Sequence, residues 1–309
     1  IVLLSSIICF VLFFEVFYSL STFFQIVSIT DYEFSYSNLL KGVTGNKNIT
    51  SSIIALKLPF VLFLFYKTKT KANKFFLFLL YTFSILLLFA LSSRAVMISL
   101  FLETLVLFFF FLFQSINNPP YKKSLKASFF FHIISLFVAF LSFQSLLPDN
   151  SEASIYNRVL TINTEDTSAS SRLRYYKHAV NHILDNPIIG TGLGNWKIKS
   201  IDYDSKNING YTVPYHVHND FLEIAAELGF IGVLLYASIF FIVLYYLFFI
   251  YKHGNFEMKF FCLSILLSGI VYVVDSSLNF PYARVVNILM FSTIISISLV
   301  QYLKFSNNE

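Results

Sequence analysis

Phe230-Ile-Gly-Val-Leu-Leu-Tyr-Ala-Ser-Ile-Phe-Phe-Ile-Val-Leu-Tyr-Tyr-Leu-Phe-Phe-Ile-Tyr251 runs without one charged side chain. A membrane-crossing helix needs about 20 mainly apolar residues, and this stretch supplies them in a single piece. Seven other runs approach that length: Ile1 to Ile29, Ser51 to Tyr66, Phe75 to Leu91, Ala95 to Phe113, Ala127 to Leu147, Phe260 to Val274 and Val285 to Leu303. Eight such runs predict an all-α, polytopic membrane helical bundle. The composition agrees, with 56% hydrophobic, 19% aromatic and only 13% charged residues among 309. Soluble domains carry about a quarter charged residues, so a soluble globular enzyme is excluded. Thirty-nine Phe and 19 Tyr against ten Gly and seven Pro exclude a disordered or collagenous chain as well.

The charges between the runs set an orientation. The segments at 67–74, 121–126 and 251–259 are Lys-rich, and the intervening ones are mixed or acidic. The positive-inside rule puts these three loops in the cytoplasm, and the tail with Lys304 follows by alternation. The segments at 30–50, 92–94, 148–229 and 275–284 then face outward. The +5 net charge is therefore a topology signal and not a nucleic-acid patch. Cys9 and Cys262 sit inside apolar runs, as lone thiols that behave as small hydrophobes, with no disulfide or metal-ligand spacing. The chain starts at Ile1 with no basic region before the first run, unlike an intact signal peptide. Further spans are expected upstream.

The expected organisation is five spans in 1–146, a helical outer loop at 147–229 and three spans in 230–309. That loop holds ten of the 17 acidic residues, four of the six His and the only Trp. Connections longer than about 15 residues are usually functional or disordered, and this one carries helix signals. From Ser170-Ser171, Leu173, Tyr176, Val180 and Ile183 recur at helical spacing until Asn186-Pro187. This predicts an amphipathic helix, capped by the serines, lying on the membrane or on the bundle, with Arg172 in its first turn and Arg174 and Lys177 on flanking faces. Gly190-Thr-Gly192-Leu-Gly194 has no βαβ unit around it, so it predicts a tight turn approaching another element and not a dinucleotide loop. Asp202-Tyr-Asp204 resembles a metal-binding carboxylate pair, against a simpler reading as a solvated loop.

The most informative stretch is Tyr215-His-Val-His-Asn-Asp-Phe-Leu-Glu-Ile-Ala-Ala-Glu-Leu-Gly229. Asp220 with Glu223 predicts a capping box, and Gly229 a helix end. His218 then stands just outside a helix N-terminus, whose positive end favours an anion nearby and a neutral imidazole able to act as a general base. Arg94, between the third and fourth spans with almost no loop around it, is costly at membrane depth and so marks a functional site unless it snorkels to the interface. Arg284 stands at the outer end of the eighth span. Guanidiniums on one face suit a phosphate-rich ligand. Outside the cell such a donor must arrive already activated, most plausibly on a lipid.

These residues resemble those of the O-antigen ligase and polymerase family, membrane glycosyltransferases that use undecaprenyl-diphosphate-linked glycans. The resemblance is carried by Gly45-Asn46-Lys47-Asn48, Ser93-Arg94, Arg172 followed by an aromatic at Tyr176, Asn186-Pro-Ile-Ile-Gly-Thr-Gly-Leu-Gly-Asn-Trp196, His218-Asn219-Asp-Phe-Leu and Glu227-Leu-Gly-Phe-Ile-Gly232, in family order. It implies an inverting transfer without metal or cofactor at the periplasmic face of the bacterial inner membrane. Arg94 and Arg172 would hold the diphosphate, with Arg174 and Arg284 as further candidates. His218 would activate the acceptor hydroxyl, with His216 as its rival. Asn46, Asn48, Gly190, Gly192 and Asn219 would support the site. The implied partners are the undecaprenyl-diphosphate-linked glycan, lipid A core or another hydroxyl acceptor, and membrane lipids, with no nucleic acid. Family members have about twelve spans, and a Trp is commoner where this chain has Tyr176. A polymerase joining repeat units and a ligase glycosylating pilin-type proteins share the same donor chemistry. A transporter would need ionisable residues at mid-bilayer, for which Glu15 and Glu103 are the main candidates, and broken helices in repeated halves; the sequence has no internal repeat.

Overall fold

A computed structural model describes residues 1–148, 151–154, 167–208 and 213–307, so parts of the expected 147–229 loop lie outside the described residues. Regular structure among the described residues is helical: α1 (Val2–Val27), α2 (Lys47–Ala55), α3 (Leu58–Lys67), α4 (Lys71–Leu91), α5 (Arg94–Asn117), α6 (Lys122–Gln144), α7 (Thr167–Asp185), α8 (Trp196–Asp204), α9 (Asp220–His253), α10 (Phe256–Leu278) and α11 (Val285–Ser306). Eight segments are long and apolar enough to cross a membrane: α1, α2 with α3, α4, α5, α6, α9, α10 and α11. They match the eight apolar runs in number and order, so the fold is a multi-pass helical bundle. The short runs each gain about a turn at the N-terminal end, and the seventh gains one at both ends, from Phe260–Val274 to Phe256–Leu278. Hydrogen bonding carries a helix past the first polar side chain, where an apolar run stops.

Two compact units divide the chain. The first holds residues 1–160 and 250–272. Its core includes Leu12, Phe23, Leu56, Phe63, Leu87 and Phe143, all fully buried. The second span is broken at Leu56-Lys57 because Pro59 lacks the N–H that a continuous helix needs and is tolerated in the first turn of α3. Ser268 Oγ donates to the Leu56 carbonyl at 2.7 Å, replacing a helical bond lost at the break. Lys57, buried there, places Nζ 2.5 Å from the Glu15 carboxylate of α1. Each charge thus has its counter-ion in an apolar setting. His132 lies between the Tyr81 hydroxyl (2.8 Å) and Thr104 Oγ1 (2.9 Å). Arg94 opens α5 directly after a two-residue turn in which Ser92 adopts φ +53°. Asn46 caps α2, its Oδ1 accepting from the Asn48 and Ile49 amides at 2.9 and 3.3 Å; Asn48 is the second residue of that helix.

The second unit holds residues 161–249 and 273–309. One buried cluster in it is Ala179, Trp196, Val217 and Ala226, packed by Tyr176, Ile183, Tyr203 and Leu222. Helix α7 begins at Thr167, a turn before the expected serine cap, so Arg172 lies in its second turn and Ser170 and Ser171 lie inside the helix. The expected apolar stripe also divides. Tyr176 and Ile183 pack inward, whereas Leu173 and Val180 are 53% and 42% exposed. The inward face is fixed by polar contacts as well as apolar ones, which hydrophobic spacing does not register.

The Pro187–Trp196 turn docks backbone to backbone on the end of the helix that precedes Gly229. Thr191 and Gly192 N–H groups donate to the Ala226 and Glu227 carbonyls at 3.0 and 2.7 Å, Phe230 N–H donates to the Pro187 carbonyl at 2.8 Å, and Trp196 N–H donates to Glu227 Oε1 at 3.0 Å. The helix end thereby finds partners for its last carbonyls. Gly190 (φ +68°) and Gly229 (φ +64°) are required by this contact, since a Cβ would fall 2.5 Å from Glu227 C and 2.1 Å from Ile188 O respectively. The expected tight turn is confirmed, and Gly229 breaks α9 as expected.

Candidate functional site

The site forms where the loop at 213–219 meets the start of α9. Asn219, and not Asp220, is the cap: its Oδ1 accepts from Leu222 N–H at 3.0 Å and its Nδ2 donates to the Ser277 carbonyl at 3.1 Å. Glu223 instead reaches back one turn, accepting from Val217 N–H at 2.8 Å and lying 2.9 Å from His216 Nδ1. Asp220 turns to the other side, accepting from Tyr282 N–H at 3.0 Å. The capping reading was thus displaced by one residue, because the Asp220 carboxylate has a tertiary partner that a local motif does not show.

His218 is held between these contacts at φ +64°, a left-handed conformation rare outside Gly and Asn. Its carbonyl accepts from the Tyr176 hydroxyl at 3.0 Å, which ties the loop to α7. The ring lies parallel to Tyr175 at 6.2 Å and edge-on to Phe280 at 4.8 Å. Its Nδ1 is buried and makes no hydrogen bond. Burial first, then the nearby Arg172, His216 and Arg284, lower its pKa from 6.5 to about 4. At neutral pH the imidazole is uncharged and available to take a proton.

Phe280 is the hub of the cluster. His216 stacks on it at 4.3 Å, and the Arg284 guanidinium lies 4.4 Å from its centroid. Burial lowers the Arg284 pKa, and its Nε is buried without a hydrogen bond. Arg172 donates to Asn279 Oδ1 at 3.3 Å, and Asn279 Nδ2 donates to Asp275 Oδ1 at 2.6 Å. The carboxylate requires the amide nitrogen to face it, so the amide oxygen faces the guanidinium. Sequence reasoning missed Tyr175, Asp275, Asn279 and Phe280. The signal for two of them was present, as polar Asp275 and Asn279 in the short outward segment just past the seventh apolar run.

The two arginines of α7 separate. Arg174 pairs with the buried Asp204 at 2.8 Å, whereas Arg172 faces the His218 cluster. Asp202 is exposed and pairs with Lys199, so the Asp202 and Asp204 carboxylates serve different partners. Both lie in the last turn of α8 and not in a loop, and only Asp202 is solvated. Among the described residues no group of three His, Cys, Asp or Glu converges on a metal position. The structure therefore brings together Arg172, Arg284, His216, His218 and Asn219. Arg174 is engaged at Asp204, Gly190 and Gly192 hold the turn behind the loop, and Asn46, Asn48 and Arg94 belong to the first unit.

Fold and cluster together define a polytopic helical membrane protein with a neutral, strained histidine set among guanidiniums. The sequence profile of the O-antigen ligase family matches residues 76–237, more than half of the chain. The chain belongs to that family. A protein provisionally named polysaccharide ligase in Rickettsia conorii is 40% identical over 73 residues, and a counterpart in Rickettsia felis with the same provisional name is 38% identical over 73 residues. The matched segment covers 22% of this chain and 18% of each relative's length.

Proposed function

We propose that the chain carries the centre of an inverting, metal-independent membrane glycosyltransferase of the O-antigen ligase type. It transfers a preassembled glycan from undecaprenyl diphosphate to a hydroxyl of lipid A core, at the periplasmic face of a bacterial inner membrane. The observation that supports this reading best is the state of His218, uncharged at neutral pH and flanked by Arg172 and Arg284. His218 takes the proton of the acceptor hydroxyl as that oxygen bonds to the anomeric carbon, from the side opposite the diphosphate. The bond from the anomeric carbon to the diphosphate oxygen breaks, and its electron pair leaves on the phosphate. Arg172 and Arg284 offer forked donors to that growing charge. The arriving diphosphate also offsets the two cations, so the proton affinity of His218 rises as the acceptor is to be deprotonated. Arg94 is assigned to phosphate binding, and Arg174 is released from it by its pair with Asp204.

The test uses His218→Asn, Arg94→Gln and Arg172→Gln. Asn tolerates the left-handed backbone at 218, so the first variant removes the imidazole without adding strain. With normal protein levels, transfer from purified lipid-linked glycan to purified acceptor is expected to fall about 100-fold or more for His218→Asn. Unchanged transfer in all three variants overturns the mechanism. In a deletion strain, carrier-linked polymer is expected to accumulate. Accumulation of single repeat units overturns the ligase reading in favour of a polymerase.

A further inference from the structure

The stripe Leu173, Lys177, Val180 and Leu184 follows one side of α7 at spacings of four, three and four. Its aliphatic members are 53%, 42% and 74% exposed. Past the end of α7, Ile188, Ile189 and Leu193 are 64%, 77% and 61% exposed. An apolar patch of this kind marks an interaction surface. The backbone fixes its height. Phe230 N–H bonds to the Pro187 carbonyl, and Ile188 lies against Gly229. That is the point where the apolar run of α9 begins, with Phe230, Ile231, Leu234 and Leu235 all more than half exposed, as on a lipid-facing helix side. The isoleucines of the turn therefore continue the lipid-facing surface of α9 at the membrane boundary.

We infer that α7 and the turn after it form an interfacial element seated in the bilayer surface, with Leu173, Val180, Leu184, Ile188, Ile189 and Leu193 in the acyl boundary and Lys177 among anionic headgroups. A Lys side chain places its stem along apolar surface and its ammonium at the phosphates. The adjoining side of α7, about a quarter turn round from the stripe, carries Arg172 and Tyr176 towards His218. The seating thus holds the cluster at the depth of lipid phosphates. That consequence rests on the proposed function; the seating does not.

The test places the full chain in vesicles of phosphatidylethanolamine and phosphatidylglycerol, with tracer phosphatidylcholine carrying a nitroxide near the top of the acyl chain. Cysteines introduced singly at Leu184, Ile189 and, as the water-exposed reference, Lys206 carry a polarity-sensitive dye. The native Cys9 and Cys262 are buried, and unlabelled parent protein serves as the blank. At 184 and 189 the emission is expected to shift to shorter wavelength than at 206 and to be lost to the nitroxide lipid but not to iodide. Quenching by iodide, or shielding from both quenchers by a second copy or another protein segment, overturns the inference. Transfer activity is not read, so this result stands or falls apart from the proposed function.

Discussion

At the scale of single residues, the informative contrast is between Arg172 and Arg174, two positions apart on one helix. Arg174 neutralises Asp204, which is 2% exposed. Arg174→Ala leaves that carboxylate without its fork, with an expected loss of about 2 kcal/mol, and Arg174→Met with Asp204→Leu restores stability. Arg172→Gln is expected to leave stability unchanged and to lower transfer. Thermal unfolding in detergent beside a transfer assay separates the two. His218 gives a pH prediction. Its folded pKa lies below its ordinary 6.5, so its protonation opposes folding; the stability involved is complete above about 6.5 and is lost as pH falls towards 4. Arg284→Gln removes a positive neighbour and raises the His218 pKa, so the acid limb of kcat/KM moves to higher pH. An unmoved limb counts against His218 as the base.

At the scale of elements, the turn at 187–196 and the helix before Gly229 are one device made from two distant motifs. Neither motif is interpretable alone, because each supplies the donors or acceptors that the other lacks. Gly190→Ala and Gly229→Ala drive a Cβ into backbone atoms at a left-handed residue, and either is expected to undo the docking and sharply lower the yield of folded protein. Gly194 (φ +75°) faces open space, so Gly194→Ala carries only backbone strain of about 1 kcal/mol. Protease resistance in detergent ranks the three. The helices, the tight turn and the break at Gly229 were legible from spacing and glycine placement. The cap at Asn219 and the separation of Arg174 from Arg172 were not, because each was decided by a partner far along the chain: Tyr282 for Asp220, Ser277 for Asn219, Asp204 for Arg174.

At the scale of the whole molecule, eight apolar helices and the placement of lysines predict which loops share a side. Single cysteines at Lys71, Lys123 and Asn255, all exposed, are expected to react with an impermeant maleimide only after the cell is opened. Cysteines at Lys41, Lys197 and Ala283, also exposed, are expected to react in intact spheroplasts, and any mixing of the two sets overturns the orientation. The all-helical, membrane-crossing architecture followed from the sequence by itself, since a run of apolar residues long enough to span lipid must satisfy its backbone internally and does so as a helix. His218 and the arginines were singled out by residue type and place. Only the tertiary structure decided that Arg172 and not Arg174 faces His218, that Phe280 gathers His216, His218 and Arg284, and that Lys57 answers Glu15. Helix formation depends on neighbours three and four residues away, whereas the charge state and company of a side chain depend on whatever packing brings within a few ångströms.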